Sequence, residues 1–204
     1  MYKLIGITDR HLCKGDFLQQ LERMVRGGVH QIILREKDLS EEAYRSLAID
    51  AIRICRDSST ELILHRHVEA AKKLAYDRIH LPLDIAAEAD CGVFQKTGSS
   101  IHSLEELRMA EELFSGVPEC YYTVSHIFKT NCKPNLPPKG LLLLSDIRKS
   151  TSVPLYALGG VTPKTIPLLK PFMKNDIIQG VAMRSQLMNA SVSEIKRFRH
   201  MLNS

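Results

Sequence analysis

Leu155-Tyr156-Ala157-Leu158-Gly159-Gly160-Val161-Thr162-Pro163 places a short apolar run, a glycine pair and a Thr-Pro step in direct succession. The run has the length and composition of a buried strand. Glycines allow a sharp turn, and threonine before proline supplies a helix cap followed by a residue whose φ is preset for the first helical position. The stretch therefore predicts strand, turn and helix, the unit from which parallel sheets are assembled.

The same alternation extends outward in both directions. Strands are expected at residues 4–8, 31–34, 61–64, 78–81, 97–101, 120–124, 155–158 and 176–181. Helices are expected at 17–26, 40–56, 68–74, 103–114, 141–149, 163–169 and 192–202, with a shorter helical link at 85–89. Ser103 with Glu106, and Ser191 with Glu194, fit the reciprocal capping pattern of a helix start. Parallel strands need crossovers that cover a face, and eight such units favour a single closed (β/α)8 TIM barrel of the α/β class over residues 1–204. The competing open, doubly wound sheet would carry G-x-G-x-x-G after the first strand, where Gly6-Ile7-Thr8-Asp9 stands instead.

Composition narrows the partners. The longest apolar runs, such as Leu141 to Leu144, fall far short of the roughly 18 residues of a membrane span. The start is too quickly polar for a secretory leader, so a cytoplasmic protein without membrane contact is expected. The net charge of +5 is dispersed and aromatics are 6%, which leaves no stacking platform or basic arm for nucleic acid. Cys13, Cys55, Cys91, Cys120 and Cys132 lie far apart with no C-x-x-C pair, against a disulfide framework or structural zinc. His65 and His67 flank Arg66 with no carboxylate or thiol pattern nearby, so no metal site is expected there.

In a barrel of this kind the chemistry lies at the C-terminal ends of the strands. Gly159 and Gly160 after the seventh strand, with Arg184 and Ser185 after the eighth, form the expected phosphate site, because glycine backbone can approach an anion closely. Arg35 and Lys37 share one face of the extended second strand and aim two cations at one cleft. The loop after the sixth strand opens with His126, and an imidazole of unperturbed pKa near ~6.5 can take and return a proton near neutrality. Cys132 in the same loop is a nucleophile by residue type, and a packing residue by the commoner use of lone cysteines.

Four ordered motifs, Leu34-Arg35-Glu36-Lys37, Gly98-Ser99-Ser100-Ile101-His102-Ser103, the run from Ser125 to Lys133, and Ala157-Leu158-Gly159-Gly160-Val161-Thr162, make the chain resemble the thiamine phosphate synthase and TenI family. The resemblance implies ligand contacts at Arg35, Lys37, Ser100, Thr130, Lys133, Gly160 and Ser185, and Cys132, between two of them in the sixth loop, is a further substrate-binding candidate. Within that family the synthase joins a pyrimidine diphosphate to a thiazole phosphate with Mg²⁺, whereas the TenI-type enzyme aromatises a thiazole carboxylate phosphate by moving a proton. The synthase pattern has Asn-Asp after the third strand, the Asp helping to hold magnesium, and this chain has His65-Arg66. Ile33 replaces the synthase glutamine, Asp84 only approximates the second acidic ligand, and His126 matches the TenI proton-transfer histidine. The likeness thus implies a cofactor-free thiazole tautomerase acting on a small thiazole phosphate. The alternatives are a Mg²⁺-dependent synthase and a non-catalytic barrel that binds a thiamine-related phosphate. A homo-oligomer is compatible with the family likeness.

Overall fold

The computed structural model describes residues 1–130 and 136–204. Eight strands close into a parallel barrel in sequence order. They are β1 (Lys3–Ile7), β2 (Gln31–Leu34), β3 (Glu61–His65), β4 (Arg78–His80), β5 (Lys96–Ile101), β6 (Glu119–Val124), β7 (Leu155–Leu158) and β8 (Gly180–Met183). The covering helices are α1 (Phe17–Gly27), α2 (Glu41–Cys55), α3 (Val68–Lys73), α4 (Leu83–Ala86), α5 (Leu104–Leu113), α6 (Leu142–Ser150), α7 (Ile166–Lys174) and α8 (Val192–Asn203). Among the described residues, no helix is long and apolar enough to cross a membrane. The (β/α)8 TIM barrel is the fold.

Alternation along each strand divides the core into two layers. Leu4, Ile32, Leu34, Leu62 and Leu64 belong to the large cluster that includes the buried helix faces, while Ile5, Ile33 and Ile63 join Tyr121, Tyr156 and Ala182 in a smaller second cluster. Side chains two residues apart share a face, so one apolar run feeds both layers. Gly98 makes room for the second layer: a Cβ there would sit 2.2 Å from Cζ of Tyr121. The missing side chain lets Tyr121 lie inside the barrel and reach β4.

Four expectations need correction. The seventh helix begins at Ile166 rather than residue 163, because Thr162 N–H donates to Thr165 Oγ1 at 2.9 Å and Thr165 N–H to the Thr162 carbonyl at 3.0 Å, which closes a separate turn around Pro163. The last strand begins at Gly180 rather than 176: Asp176 has φ 54°, and Ile177 N–H returns to the Phe172 carbonyl at 2.8 Å, so Asp176 and Ile177 finish α7. Ser103 receives Glu106 N–H, but the Glu106 carboxylate turns to His102 N–H at 2.7 Å instead of completing the reciprocal cap. Ser191 and Glu194 do complete theirs. The link expected at 85–89 is α4 followed by a 3-10 turn at Cys91–Val93.

Candidate functional site

A cavity of about 710 Å³ opens at the C-terminal ends of the strands. Ile7, Ile33 and Ala182 give it an apolar floor. Its wall carries Arg35 and Lys37 from the end of β2, Ser100 from β5, and His126 and Thr130 from the loop after β6. Gly159 and Gly160 follow β7 and Arg184 and Ser185 follow β8, so the barrel brings together every expected site residue that is described. Cys132 and Lys133 lie outside the described residues.

His126 is held by a loop laid across β7. Ile127 N–H donates to the Leu158 carbonyl at 2.9 Å, and Phe128 N–H to the Gly159 carbonyl at 3.0 Å. Lys139 N–H closes the return by donating to the His126 carbonyl at 2.9 Å. The glycine pair is required by this docking. A Cβ on Gly159 would lie 2.3 Å from Cβ of His126, and one on Gly160 would lie 2.5 Å from the Lys129 carbonyl oxygen. Both glycines also have positive φ, 95° and 67°, where a β-carbon is strained. Reading the pair as a phosphate cradle alone missed this second task. The His126 side chain is buried, and its Nε2 sits 3.3 Å from the Leu136 carbonyl. A carbonyl only accepts, so Nε2 carries the hydrogen and Nδ1 presents the lone pair. That Nδ1 has no partner among the described residues.

Cations gather around the mouth. Burial, then the charges of Arg35, Arg66 and Arg184, push the Lys37 ammonium below its ordinary pKa. Arg184 pairs with Asp9 at 3.4 Å. Glu36, 2% exposed, is not free for a ligand: it accepts from Thr8 Oγ1 at 2.7 Å and from Arg10 N–H at 3.1 Å. Arg35 N–H in turn donates to Thr8 Oγ1 at 2.8 Å, so a buried threonine and carboxylate set the direction in which β2 ends. Arg10 further grips Asp38, whose carboxyl is held well below the ordinary carboxylate range by that guanidinium.

The opposite wall is built from imidazoles. His80 Nδ1 meets the Tyr121 hydroxyl and its Nε2 meets Ser100 Oγ, both at 3.0 Å, and Ser100 Oγ meets Thr123 Oγ1 at 2.8 Å. His65 stacks on His80 with ring centres 5.8 Å apart. After His65 the chain makes a three-residue turn in which His67 N–H donates to the His65 carbonyl at 2.7 Å around Arg66 at φ 55°. Turns of this kind with a positive central φ are rare, and a non-glycine residue there costs about 1–3 kcal/mol. Tyr44 steadies both sides: its hydroxyl donates to the Leu34 carbonyl at 2.6 Å and accepts from His65 N–H at 2.7 Å. Tyr44→Phe strands a buried carbonyl and a buried N–H, and is expected to lower unfolding free energy by about 1–3 kcal/mol. Urea titration checks this, and an unchanged midpoint with unchanged slope would refute it.

Burial pushes the His80 imidazole down to about 3, with Arg35 adding to the effect. His65 and His30 are lowered by burial first as well. The unfolded chain, with ordinary histidines, therefore takes up protons below ~6.5 while the folded chain does not, and stability falls with pH through that window. His80 alone should make the protein about 2 kcal/mol less stable at pH 5 than at pH 7. Urea midpoints at the two pH values test this; a value independent of pH would be incompatible with neutral buried imidazoles.

The donors at the mouth do not suit a magnesium ion, which asks for carboxylate oxygens. Asp84 is one carboxylate on the wall, Glu106 is engaged with His102 Nδ1 at 2.7 Å, and the residues ending β3 are His65 and Arg66. Among the described residues, no three His, Cys, Asp or Glu side chains converge as a metal cage. Sequence reasoning reached the cations, the glycines and His126. It missed Glu36 and Tyr44, which lie outside the strands, and the pairing of His80 with Tyr121, whose only signal is a polar group inside an apolar strand run.

Residues 4–187 match the family model described as thiamine monophosphate synthase. The thiamine-phosphate synthase of Syntrophomonas wolfei is 30% identical over 197 residues, covering 93% of this chain and 90% of that one. The thiamine-phosphate synthase of Clostridium acetobutylicum is 30% identical over 166 residues, 78% of this chain and 76% of the other. Among solved structures, thiamine phosphate pyrophosphorylase from Pyrococcus furiosus superposes with a TM-score of 0.79 at 24% identity, covering 99% of this chain and 96% of that chain. That last likeness speaks to fold.

Proposed function

The chain belongs to the thiamine monophosphate synthase family, and from that premise we propose that it is an enzyme of thiamine biosynthesis acting as a thiazole tautomerase. The observation that carries the reading is His126, placed on the wall of a cavity ringed by cations. Gly160, Arg184 and Ser185 would receive the substrate phosphate, as backbone amides and a guanidinium suit an anion. Arg35 and Lys37 would hold the carboxylate and offset charge that develops as the ring proton leaves. The His126 imidazole takes the proton from ring C2, the C–H pair of electrons passes into the ring, and the imidazolium, whose proton exchanges with solvent, delivers a proton to the exocyclic carbon as the ring becomes aromatic. No oxidant or leaving group is involved. Turnover of the non-aromatic thiazole carboxylate phosphate, followed by NMR in D₂O, tests it: deuterium entry at the exocyclic carbon is expected, and failure to convert the substrate overturns the reading.

A second reading, Mg²⁺-dependent thiamine phosphate synthase, is favoured by the names of the relatives. It requires coupling of a pyrimidine diphosphate to a thiazole phosphate. The chemistry of His65, Arg66 and a solitary Asp84 counts against it, because two of the three cannot serve as acidic ligands. The coupling assay with Mg²⁺ is expected to give no thiamine phosphate, and robust product would replace the tautomerase reading with this one.

A further inference from the structure

The side chains behind Ser100 have directions as well as distances. A Cβ on Gly98 would meet the Tyr121 ring inside the barrel, and Ser100, two residues on, points the same way and lines the cavity. Tyr121, His80 and Thr123 are buried, whereas Ser100 is half-buried. Each buried hydroxyl carries one hydrogen that needs an acceptor. Among the described residues, the Tyr121 hydroxyl meets only His80 Nδ1, and Thr123 Oγ1 meets only Ser100 Oγ. The Tyr121 hydroxyl therefore donates to Nδ1, and Thr123 Oγ1 donates to Ser100. Burial and Arg35 keep the His80 imidazole neutral, so with Nδ1 accepting, Nε2 carries the ring hydrogen and donates to Ser100 Oγ. Reversing either direction strands a buried hydrogen at a cost of about 1–3 kcal/mol. Ser100 Oγ thus accepts from β4 on one side and β6 on the other, and its own hydrogen is left for the cavity.

We propose that His80, backed by Tyr121 and joined by Thr123, is a positioning residue that fixes Ser100 as a hydrogen-bond donor, so that the site selects a ligand ring with a lone pair at that point and rejects one with an N–H. The proposal rests on the thiazole-phosphate reading of the cavity and deepens it, since a thiazole nitrogen is such an acceptor. An isolated serine turns to suit either kind of partner. Here both lone pairs are committed, so a ligand N–H at this point would lose its water and gain no acceptor, which is how a polar site rejects a wrong isostere. Strand β5 pairs with β6, whose loop opens with His126, so a ring held at Ser100 lies on the side of the barrel that carries the imidazole.

The test compares thiazole phosphate with a matched pyrrole phosphate, which has an N–H where thiazole has its bare nitrogen, and with inorganic phosphate. Calorimetry is run on wild type, Ser100→Ala and His80→Leu. Wild type is expected to bind thiazole phosphate about tenfold more tightly than pyrrole phosphate, the scale of one hydrogen bond. Ser100→Ala should bring that ratio near unity. His80→Leu releases one lone pair of Ser100 and lets the hydroxyl turn, so the ratio should narrow several-fold through tighter binding of pyrrole phosphate, a gain that a merely loosened structure does not produce. Inorganic phosphate should bind all three proteins equally. Equal affinity of wild type for the two rings, a ratio that survives Ser100→Ala, or no gain for pyrrole phosphate in folded His80→Leu overturns the proposal. In wild type the ¹⁵N resonances of His80 should show a hydrogen on Nε2 and a bare Nδ1; the reverse overturns it whether or not His80→Leu folds. Ring selectivity without tautomerase turnover would sink the proposed function alone, whereas turnover without ring selectivity would sink this inference alone.

Discussion

His126→Asn is expected to lower the tautomerase rate by about 10²–10⁴-fold, the usual contribution of a positioned acid–base group. Asparagine overlays the inner part of the ring and gives up only the long contact of Nε2 with the Leu136 carbonyl at 3.3 Å. The loop should therefore keep its bonds to Leu158 and Gly159, which use main-chain groups only. What asparagine cannot do is take up a proton near neutral pH. The expected signature is a fall in kcat with an unchanged Kd for the aromatic product, measured side by side on variant and wild type. A full rate in His126→Asn would remove the histidine from the reaction. A parallel loss of product binding would reassign it to a binding role.

Much of this arrangement was legible in the chain, and the limits have physical causes. The bounds of β2 and β7 were readable because each apolar run stops at a residue unlike it, Arg35 in one case and Gly159 in the other. The last strand was misplaced because Ile177 and Ile178 look like strand residues, although α7 uses their N–H groups to satisfy the Phe172 carbonyl. Local apolarity cannot report where a helix ends its hydrogen bonds. The cations at Arg35 and Lys37 and the imidazole at His126 were found because they cluster locally at strand ends. Glu36, by contrast, depends on Thr8 and Arg10, His80 on Tyr121, and Tyr44 on His65, pairs formed across barrel strands or from helix to strand. Such partners are invisible until closure places the strands side by side. The glycines show the same limit in another form. Their freedom at the backbone was readable, but the chain crossing above them was not.

That crossing sets the second large effect. Gly159→Val should both destabilise the protein and disable the site. The valine β-carbon would fall 2.3 Å from Cβ and 2.7 Å from Cα of His126, with backbone as well as side chain in the way. At φ 95° a β-branched residue is itself strained, so rotating the side chain brings no relief. Either β7 must flip its exit or the β6 loop must lift, and lifting it breaks the N–H donations from Ile127 to Leu158 and from Phe128 to Gly159. Overpacking and left-handed strain together predict a loss of about 2–5 kcal/mol in unfolding free energy. Displacing the His126 ring by about 1 Å is enough for a further loss of about 10²-fold in rate among molecules that do fold. Gly15→Ala is the matched control, since a Cβ there meets nothing within 4 Å, and its stability should stay within about 0.5 kcal/mol of wild type. Thermal and urea unfolding, with kcat measured well below the midpoint, separate the two components. A Gly159→Val protein with wild-type stability would show that the loop does not rest on β7 in solution. One that is destabilised but fully active would show that the imidazole's position tolerates the shift, and would count against His126 as the proton carrier.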